Sequence, residues 1–254
     1  MSQRKARADQ LRGLIAHEAA RLMYEENVQQ YFDAKRMASR RIVGRTGSRT
    51  LRFRPRDLPS NGEIQEALLQ LAEMTEGHTR LARLFAMRVI ALETMEALAI
   101  FKPRLIGSVS TGHVRRGSDI DLHVFTDILD PLENHLHGLG WAYDIQRVTI
   151  WKENRAQDYL HVHIVDSDFP IELSVYPTQD LRVTTRSSTN GKPIVRLKPS
   201  ALRTLIAQQH PNDWETYQQT GQIPQLEEIL ALDDRVLTLS QVEALVEGET
   251  LEDL

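Results

Sequence analysis

Residues 105–125 read LIGSVSTGHVRRGSDIDLHVF and decide the fold that the chain predicts. The apolar lead-in to Gly107-Ser108 predicts a strand that ends in a tight turn, and the alternation from Asp119 to Phe125 predicts a second strand. Side chains alternate between the two faces of a strand, so Asp119 and Asp121 project to the same side. Paired carboxylates suit Mg²⁺, and the backbone N–H groups of a glycine turn can hold a phosphate. The stretch therefore predicts a site for metal-assisted phosphoryl chemistry.

A Gly-Ser turn followed by an Asp-Ile-Asp strand resembles the nucleotidyltransferase superfamily typified by DNA polymerase beta. The similarity covers roughly residues 103–180 and rests on Gly107-Ser108 and on residues 118–125. It implies two Mg²⁺ ions, with Mn²⁺ as an alternative, held by the Asp pair, a third carboxylate from a later strand and an NTP substrate. It also implies that Gly107 and Ser108 contact the triphosphate. The implied reaction transfers an NMP to a hydroxyl and releases pyrophosphate.

The third carboxylate is predicted to be Glu172, in the stretch PIELSVY of residues 170–176. The apolar residues around it mark one buried face, so Glu172 points to the opposite side of the strand. A glutamate between apolar residues on a strand is costly unless it has a partner such as a metal ion. Asp166 and Asp168 are alternatives, but they lie in a predicted turn. We therefore assign Asp119, Asp121 and Glu172 as catalytic and metal-binding residues.

Basic residues in the loops near these strands are candidate phosphate ligands. Arg115 and Arg116 lie in the connector before the Asp pair, and Lys192 follows the Glu172 strand. We predict that all three bind the nucleotide together with the glycine turn, although exposed loop cations are common on any surface. His161 and His163 alternate on another predicted strand, and we expect them to face the surface rather than to bind a metal.

Composition narrows the class of protein. The 254 residues include no cysteine, which excludes a disulfide scaffold, thiolate zinc sites and cysteine catalysis. No apolar stretch approaches the roughly 20 residues that span a bilayer, and the N-terminus has no apolar core of a signal peptide. The predicted location is the cytoplasm.

Charge is distributed unevenly along the chain, whose net charge is −4. Residues 1–56 hold 14 Lys and Arg against 5 Asp and Glu, a local charge of +9, and seven arginines fall within residues 40–56. We predict a loop there that contacts an RNA acceptor, because arginine presents a planar donor fork to phosphate. Residues 225–254 carry nine acidic groups against one arginine. The alternatives are that the basic and acidic ends neutralise each other, or that both are simply solvated.

The pattern as a whole predicts an α+β fold with a nucleotidyltransferase-type mixed sheet and flanking helices. We expect a helical N-terminal region over residues 1–100, a catalytic domain over 101–198 and a helical acidic region over 199–254. Strands are predicted at 104–108, 119–125, 141–152, 159–165 and 171–176. Helices are predicted over 5–43, as one or two, from residue 61 to about 100, as one or as two broken near Gly77, and at 130–137, 199–209 and 240–247.

Three functions stay open on sequence alone. The first is the nucleotidyltransferase, with RNA, protein or a small molecule as acceptor. The second is a non-catalytic module on the same fold that binds a nucleotide or a partner. The third is an assembly or regulatory protein in which the sheet serves as a scaffold.

Overall fold

The fold is taken from a computed structural model that describes residues 3–26, 28, 30–45, 58–152, 155–184, 186 and 191–233. It divides into two compact units. The first comprises Met1–Gly77 and Thr184–Ile194, and the second comprises His78–Val183 and Val195–Leu254. Within the described residues, no helix has the length and apolar character needed to cross a membrane.

The first unit is built on three helices, α1 (Gln3–Glu25), α2 (Tyr31–Arg45) and α3 (Asn61–Glu76). The prediction of one or two helices over residues 5–43 is met by two, α1 and α2. Apolar positions on all three helices meet in one core that includes Ile15, Leu22 and Ile64. Ser60 caps α3 and Glu63 completes a capping box, because each side chain accepts a backbone N–H of the other residue.

Part of the predicted arginine-rich loop is helical instead. Helix α2 continues through Gly44 to Arg45, so Arg40, Arg41 and Arg45 are helical. Arg41 Nη1 and Nη2 donate to the two carboxylate oxygens of Glu26 at 2.7 and 2.9 Å. This bidentate pair stabilises the helical position of Arg41. The remaining arginines of the stretch, at 49, 52, 54 and 56, lie outside the described residues.

The second unit contains a five-stranded mixed sheet, which confirms the α+β class. The strands are β1 (Arg104–Leu105), β2 (Ile120–Phe125), β3 (Tyr143–Lys152), β4 (Arg155–Ile164) and β5 (Ile171–Tyr176), and their order is β1-β2-β5-β4-β3. β2 and β5 are parallel, whereas the other neighbours are antiparallel. The two strands that bear the predicted carboxylates therefore lie side by side at the centre of the sheet.

Helices cover one face of this sheet. They are α4 (His78–Ala97), the short α5 (Gly107–Thr111), α6 (Asp130–Leu139), α7 (Pro199–Gln209), α8 (Pro211–Thr220) and α9, over residues 226–233. The inward positions of β2, β5 and β4 are fully buried against them, as at Leu122, Leu173 and Val162. The alternating positions point to the opposite face, which carries the acidic residues and histidines.

The structure differs from the predicted boundaries in several places. Strand β4 begins at Arg155 instead of residue 159, and β3 begins at Tyr143 instead of residue 141. The first strand ends at Leu105, and Gly107–Thr111 form helix α5 instead of continuing the strand to residue 108. Helix α4, predicted with the N-terminal region, packs in the same core as the sheet because Leu84–Leu98 bury their apolar side chains there. The C-terminal helices α7 and α8 also join this core through Leu202 and Trp214. The predicted helix at 240–247 lies outside the described residues.

Candidate functional site

The carboxylates of Asp121 and Glu172 are neighbours across the two central strands. The parallel register pairs Asp121 of β2 directly with Glu172 of β5. Neighbouring strands lie about 4.8 Å apart, and paired residues project to the same face, so the two acids stand side by side. Asp119 precedes β2 by one residue, and the backbone N–H of Ile120 next to it donates to Pro170 O at 2.8 Å. The sheet thus gathers the three predicted acids at the N-terminal ends of β2 and β5, on the face opposite the helices.

The Gly107 turn lies against Asp121. The N–H of Ile106 donates to the carbonyl of Asp121 at 3.0 Å, which ties the start of α5 to β2. Gly107 has a φ of +70°, and a Cβ there would overlap Asp121 Oδ2 and lie 3.0 Å from Cγ. A residue with a side chain would be strained by this backbone conformation and would displace the carboxylate. The glycine is therefore required both by the turn and by the acid beside it.

Burial and mutual repulsion disfavour the ionised forms of Asp119 and Asp121 when no cation is bound. Burial, followed by the charges of Glu172 and Asp119, raises the pKa of Asp121 to about 7. Loss of hydration and the charge of Glu172 also raise the pKa of Asp119, while Arg115 and His163 oppose that shift. A divalent cation between the acids would remove the repulsion and return both groups to the ionised form.

Glu172 has two polar neighbours on the face opposite the helices. His161 Nδ1 of β4 is hydrogen-bonded to Glu172 Oε1, which also accepts Ser174 Oγ–H at 3.2 Å. His163 stands directly opposite Glu172 in the β4–β5 register. The expectation that both histidines face the surface does not hold for His161, whose side chain is only 22% exposed. Strand β4 therefore contributes imidazoles to the acidic group.

Further along the same face, Arg196 joins β2 to β5. Its Nε donates to His123 Nδ1 at 3.1 Å, and its guanidinium lies over the rings of Phe125 and Tyr176 at 5.5 and 5.6 Å. Burial, with Arg196 and His161, lowers the pKa of His123 to about 4, so the ring is neutral and can accept this bond. The Arg196 Nη1 group also donates to two carbonyl oxygens, Asp180 O and Val183 O. Arg196 thus links the C-terminal end of β5 to β2.

The acids do not form a closed metal cage. Among the described residues, no group of three histidine, aspartate or glutamate side chains is arranged to hold a metal ion. The donor chemistry nevertheless fits Mg²⁺ or Mn²⁺, because the three carboxylates offer hard oxygen ligands. The neighbouring acids also raise the pKa of Asp121, an effect that a bound cation would remove.

The predicted nucleotide-binding residues fall in different places. Ser108 is half-buried in α5, where its carbonyl accepts the N–H groups of Gly112 and His113. Arg115 and Arg116 form the half-buried turn before Asp119, closed by a bond from the Arg115 N–H to Ser118 Oγ. Lys192 is exposed and belongs to the first unit, whereas the acids belong to the second.

Sequence reasoning missed the roles of His161 and Arg196. The two-residue spacing of His161 and His163 did place them on one face, but the partner of that face depends on strand order. Arg196 stands in a stretch without periodicity, so nothing local marks it as a contact of β2 and β5. Both contacts join residues that are distant in sequence.

No model of a protein family, no curated protein and no solved structure matches the chain.

Proposed function

We propose that this chain is a metal-dependent nucleotidyltransferase that transfers an NMP from an NTP to a hydroxyl acceptor and releases pyrophosphate. The observation that supports this best is the pairing of Asp121 with Glu172 beside the Gly107 turn. In this proposal, a turn that holds phosphate and a pair of carboxylate ligands lie together at the N-terminal ends of β2 and β5. The proposal also rests on the resemblance of residues 103–180 to the nucleotidyltransferase superfamily.

The acids and the turn have separate roles in this proposal. Asp119, Asp121 and Glu172 hold Mg²⁺ or Mn²⁺, and the backbone of Gly107 and Ser108 holds the triphosphate. When bound, the ions neutralise charge on the attacking and leaving oxygens. The rigid central strands keep the acids in place, so the protein contributes position and electrostatics rather than a covalent intermediate.

The acceptor is proposed more coarsely, as RNA, protein or a small molecule. RNA is favoured by the arginines of residues 40–56. Arg41 is already paired with Glu26, so this contribution falls to the other arginines of the stretch. Arg115, Arg116 and Lys192 stay candidates for the nucleotide phosphates. A cytoplasmic location is compatible with the cysteine-free composition.

A non-catalytic nucleotide-binding module is the second candidate. One observation favours it: within the described part of the chain, no three acidic or histidine side chains are arranged for a metal ion. Such a module binds an NTP at the Gly107 turn and leaves it intact. The two candidates therefore differ in pyrophosphate release.

The decisive experiment incubates the full chain with Mg²⁺, each of the four α-labelled NTPs, and either total cellular RNA or soluble cell protein. Label in one macromolecular fraction, or in a small-molecule product, identifies the acceptor class, and pyrophosphate release confirms transfer. Asp121→Asn removes the ligand at the centre of the acidic group. Asp144→Asn is the matched control, because Asp144 is an exposed acid of β3 that pairs with His163 in the register.

We expect transfer by the wild type and by Asp144→Asn, and a loss of at least a thousandfold in Asp121→Asn. Label that enters from γ-labelled rather than α-labelled NTP would contradict NMP transfer. Saturable NTP binding without pyrophosphate release in any acceptor pool would instead support the binding module.

A further inference from the structure

Two arginines lie side by side on the face of the sheet that bears the acids. Arg104 of β1 pairs with His123 of β2 in the register, and its neighbour Leu105 is buried on the helical face, so Arg104 projects to the opposite face. Arg196 reaches the same place, because its Nε donates to His123 Nδ1 at 3.1 Å. Burial and then the charge of Arg196 lower the pKa of Arg104, as expected of two cations at close range.

A lysine completes this group of cations. Leu197 forms an isolated antiparallel bridge with Leu105 through two backbone hydrogen bonds of 2.9 Å. The bridge places Lys198, the next residue, opposite Arg104, and Lys198 is exposed to solvent. Arg104, Arg196 and Lys198 form what we call the basic cluster. It lies along the β1 edge of the sheet.

The hydrogen bonds of the two arginines go to uncharged acceptors. Arg104 Nη1 donates to the carbonyl oxygens of Lys102 and Pro103 at 3.0 and 2.8 Å. Arg196 donates to the neutral ring of His123 and to two backbone carbonyls, while its Nη2 is buried without an acceptor among the described residues. Adjacent guanidiniums without a bonded carboxylate repel each other, and phosphate is an anion that matches their donor geometry.

The basic cluster lies close to the acids, on the side away from the Gly107 turn. Asp121 stands beside Ile106, whose N–H bonds to the Asp121 carbonyl at 3.0 Å. Arg104 precedes Ile106 by two residues, and Gly107 follows it directly. Strand spacing then puts the Cα atoms of Arg104 and Asp121 about 8 Å apart, two positions along a strand and one strand across. A single nucleotide unit can bridge this distance between its phosphate and its hydroxyl.

We propose that the basic cluster binds the last internucleotide phosphate of an RNA acceptor, whose terminal hydroxyl then lies at the acids. The inference rests on the proposed function, because that function places the acceptor hydroxyl there. It narrows the acceptor from RNA, protein or a small molecule to RNA. Arg104 and Lys198 contact the phosphate, and Arg196 adds positive charge beside them.

The test measures RNA binding by fluorescence anisotropy with Mg²⁺ and without NTP, so it needs no turnover. The first probe is a short single-stranded RNA labelled at its 5′ end. The second carries a neutral methylphosphonate at its last 3′ linkage, and the third carries it at its first 5′ linkage. All three have a 2′-O-methyl group at both positions, which keeps the modified linkages stable.

Arg104→Gln removes the charge of the cluster's central residue and keeps a polar side chain. Arg147→Gln is the matched control, because Arg147 is an exposed arginine of β3 that pairs with Leu160. It alternates with Gln146, which pairs with His161, so Arg147 projects to the face away from the acids.

We expect Arg104→Gln to weaken binding of the unmodified RNA about tenfold, the loss typical of a charge-assisted hydrogen bond. The 3′ methylphosphonate should weaken binding by the wild type to a similar extent. Arg104→Gln should then cost at most about twofold on that RNA, because the contact is already lost. The RNA modified at its 5′ end should still show the tenfold loss, and Arg147→Gln should stay within about twofold of wild type on all three RNAs.

Thermal unfolding checks that each variant is folded. If Arg104→Gln does not fold, Lys198→Gln replaces it, since a change at this exposed position has little effect on stability. The inference then requires a loss of about threefold that disappears on the 3′-modified RNA.

Four results overturn the inference: no RNA binding by the wild type, equal binding of the unmodified and 3′-modified RNAs, a folded Arg104→Gln whose loss is absent or the same on both, or an equal loss in Arg147→Gln. These outcomes are separate from those of the labelling experiment. Coupling between Arg104 and the 3′ phosphate without NMP transfer leaves the basic cluster as an RNA site and overturns the proposed function. NMP transfer to protein or a small molecule, without such coupling, keeps the proposed function and overturns this inference.

Discussion

Asp121 Oδ2 occupies the space that a side chain on Gly107 would need. The same two segments are joined by the hydrogen bond from Ile106 N–H to Asp121 O at 3.0 Å. The turn and the acid are therefore one structural feature, although 14 positions separate Gly107 and Asp121 in the sequence. Changes to the glycine act on the carboxylate directly.

Gly107→Ala is expected to reduce NMP transfer about a hundredfold. The alanine takes a left-handed backbone conformation, at a cost of roughly 1–2 kcal/mol, and its Cβ pushes the Asp121 carboxylate aside. Gly117→Ala is the control, because Gly117 has nearly the same φ of +71° but its Cβ would meet only Arg115 Nη1 at 3.8 Å. Equal losses of activity in the two variants would show that backbone strain alone, and not the carboxylate contact, explains the effect.

The stability of the metal-free protein is expected to fall as pH rises from about 4 to 7. The pKa of Asp121 is about 7 in the folded state and about 3.9 in the unfolded chain, so the folded state binds the proton more tightly over this range. Above pH 7 the ionised carboxylate destabilises the fold by on the order of a few kcal/mol, since one pKa unit corresponds to about 1.4 kcal/mol.

Urea unfolding in the presence of EDTA measures this pH dependence. We expect Asp121→Asn to abolish most of the slope and to be more stable than wild type at pH 8. The exposed acid variant Asp144→Asn should keep the wild-type slope. A wild-type stability that rises between pH 4 and 7, with the same rise in Asp121→Asn, would contradict the raised pKa.

His161→Ala is expected to raise the Mg²⁺ concentration needed for half-maximal transfer about tenfold. The imidazole orients Glu172 through its Nδ1 contact, and loss of a group that orients a metal ligand commonly costs 10- to 100-fold in metal affinity. Saturating Mg²⁺ should restore the rate to within about threefold of wild type. The measurement is a Mg²⁺ titration of the initial rate.

Gln146→Ala controls for a change on the same face, because Gln146 pairs with His161 in the β3–β4 register and is exposed. Its Mg²⁺ titration should match that of wild type. A rate loss in His161→Ala that persists at every Mg²⁺ concentration would place the histidine outside the metal site.

Arg196→Met is expected to lower the free energy of unfolding by about 2 kcal/mol. The change removes hydrogen bonds to His123 Nδ1, Asp180 O and Val183 O, and each such bond contributes roughly 0.5–1.5 kcal/mol. Part of the loss is recovered because methionine still packs on the Phe125 and Tyr176 rings. Arg182→Met, at an exposed position of the Thr178–Arg182 turn, should stay within about 0.5 kcal/mol of wild type in urea unfolding.

Local sequence was enough for much of the fold. Strand β5 and helix α7 have the predicted bounds, Ile171–Tyr176 and Pro199–Gln209, because alternating apolar residues and a proline at the start of a helix act within a few positions. The same local patterns placed Asp119, Asp121 and Glu172 on one face of their strands. They did not predict that Gly107–Thr111 form a helix, since Gly, Ser and Thr have weak helical preference and the turn is held by α4.

The amino-acid sequence by itself determined the α+β class and the spacing of the glycine turn and the acids. It also determined the alternation that puts the acids on one face. Only the tertiary structure decided which strand lies beside which, and therefore that Asp121 pairs with Glu172, that His161 contacts Glu172, and that the buried Arg88 bonds to Val109 of α5. The physical reason is that periodicity and turn chemistry act between near neighbours in the chain, whereas strand order and side-chain partners are settled by burial of the whole core.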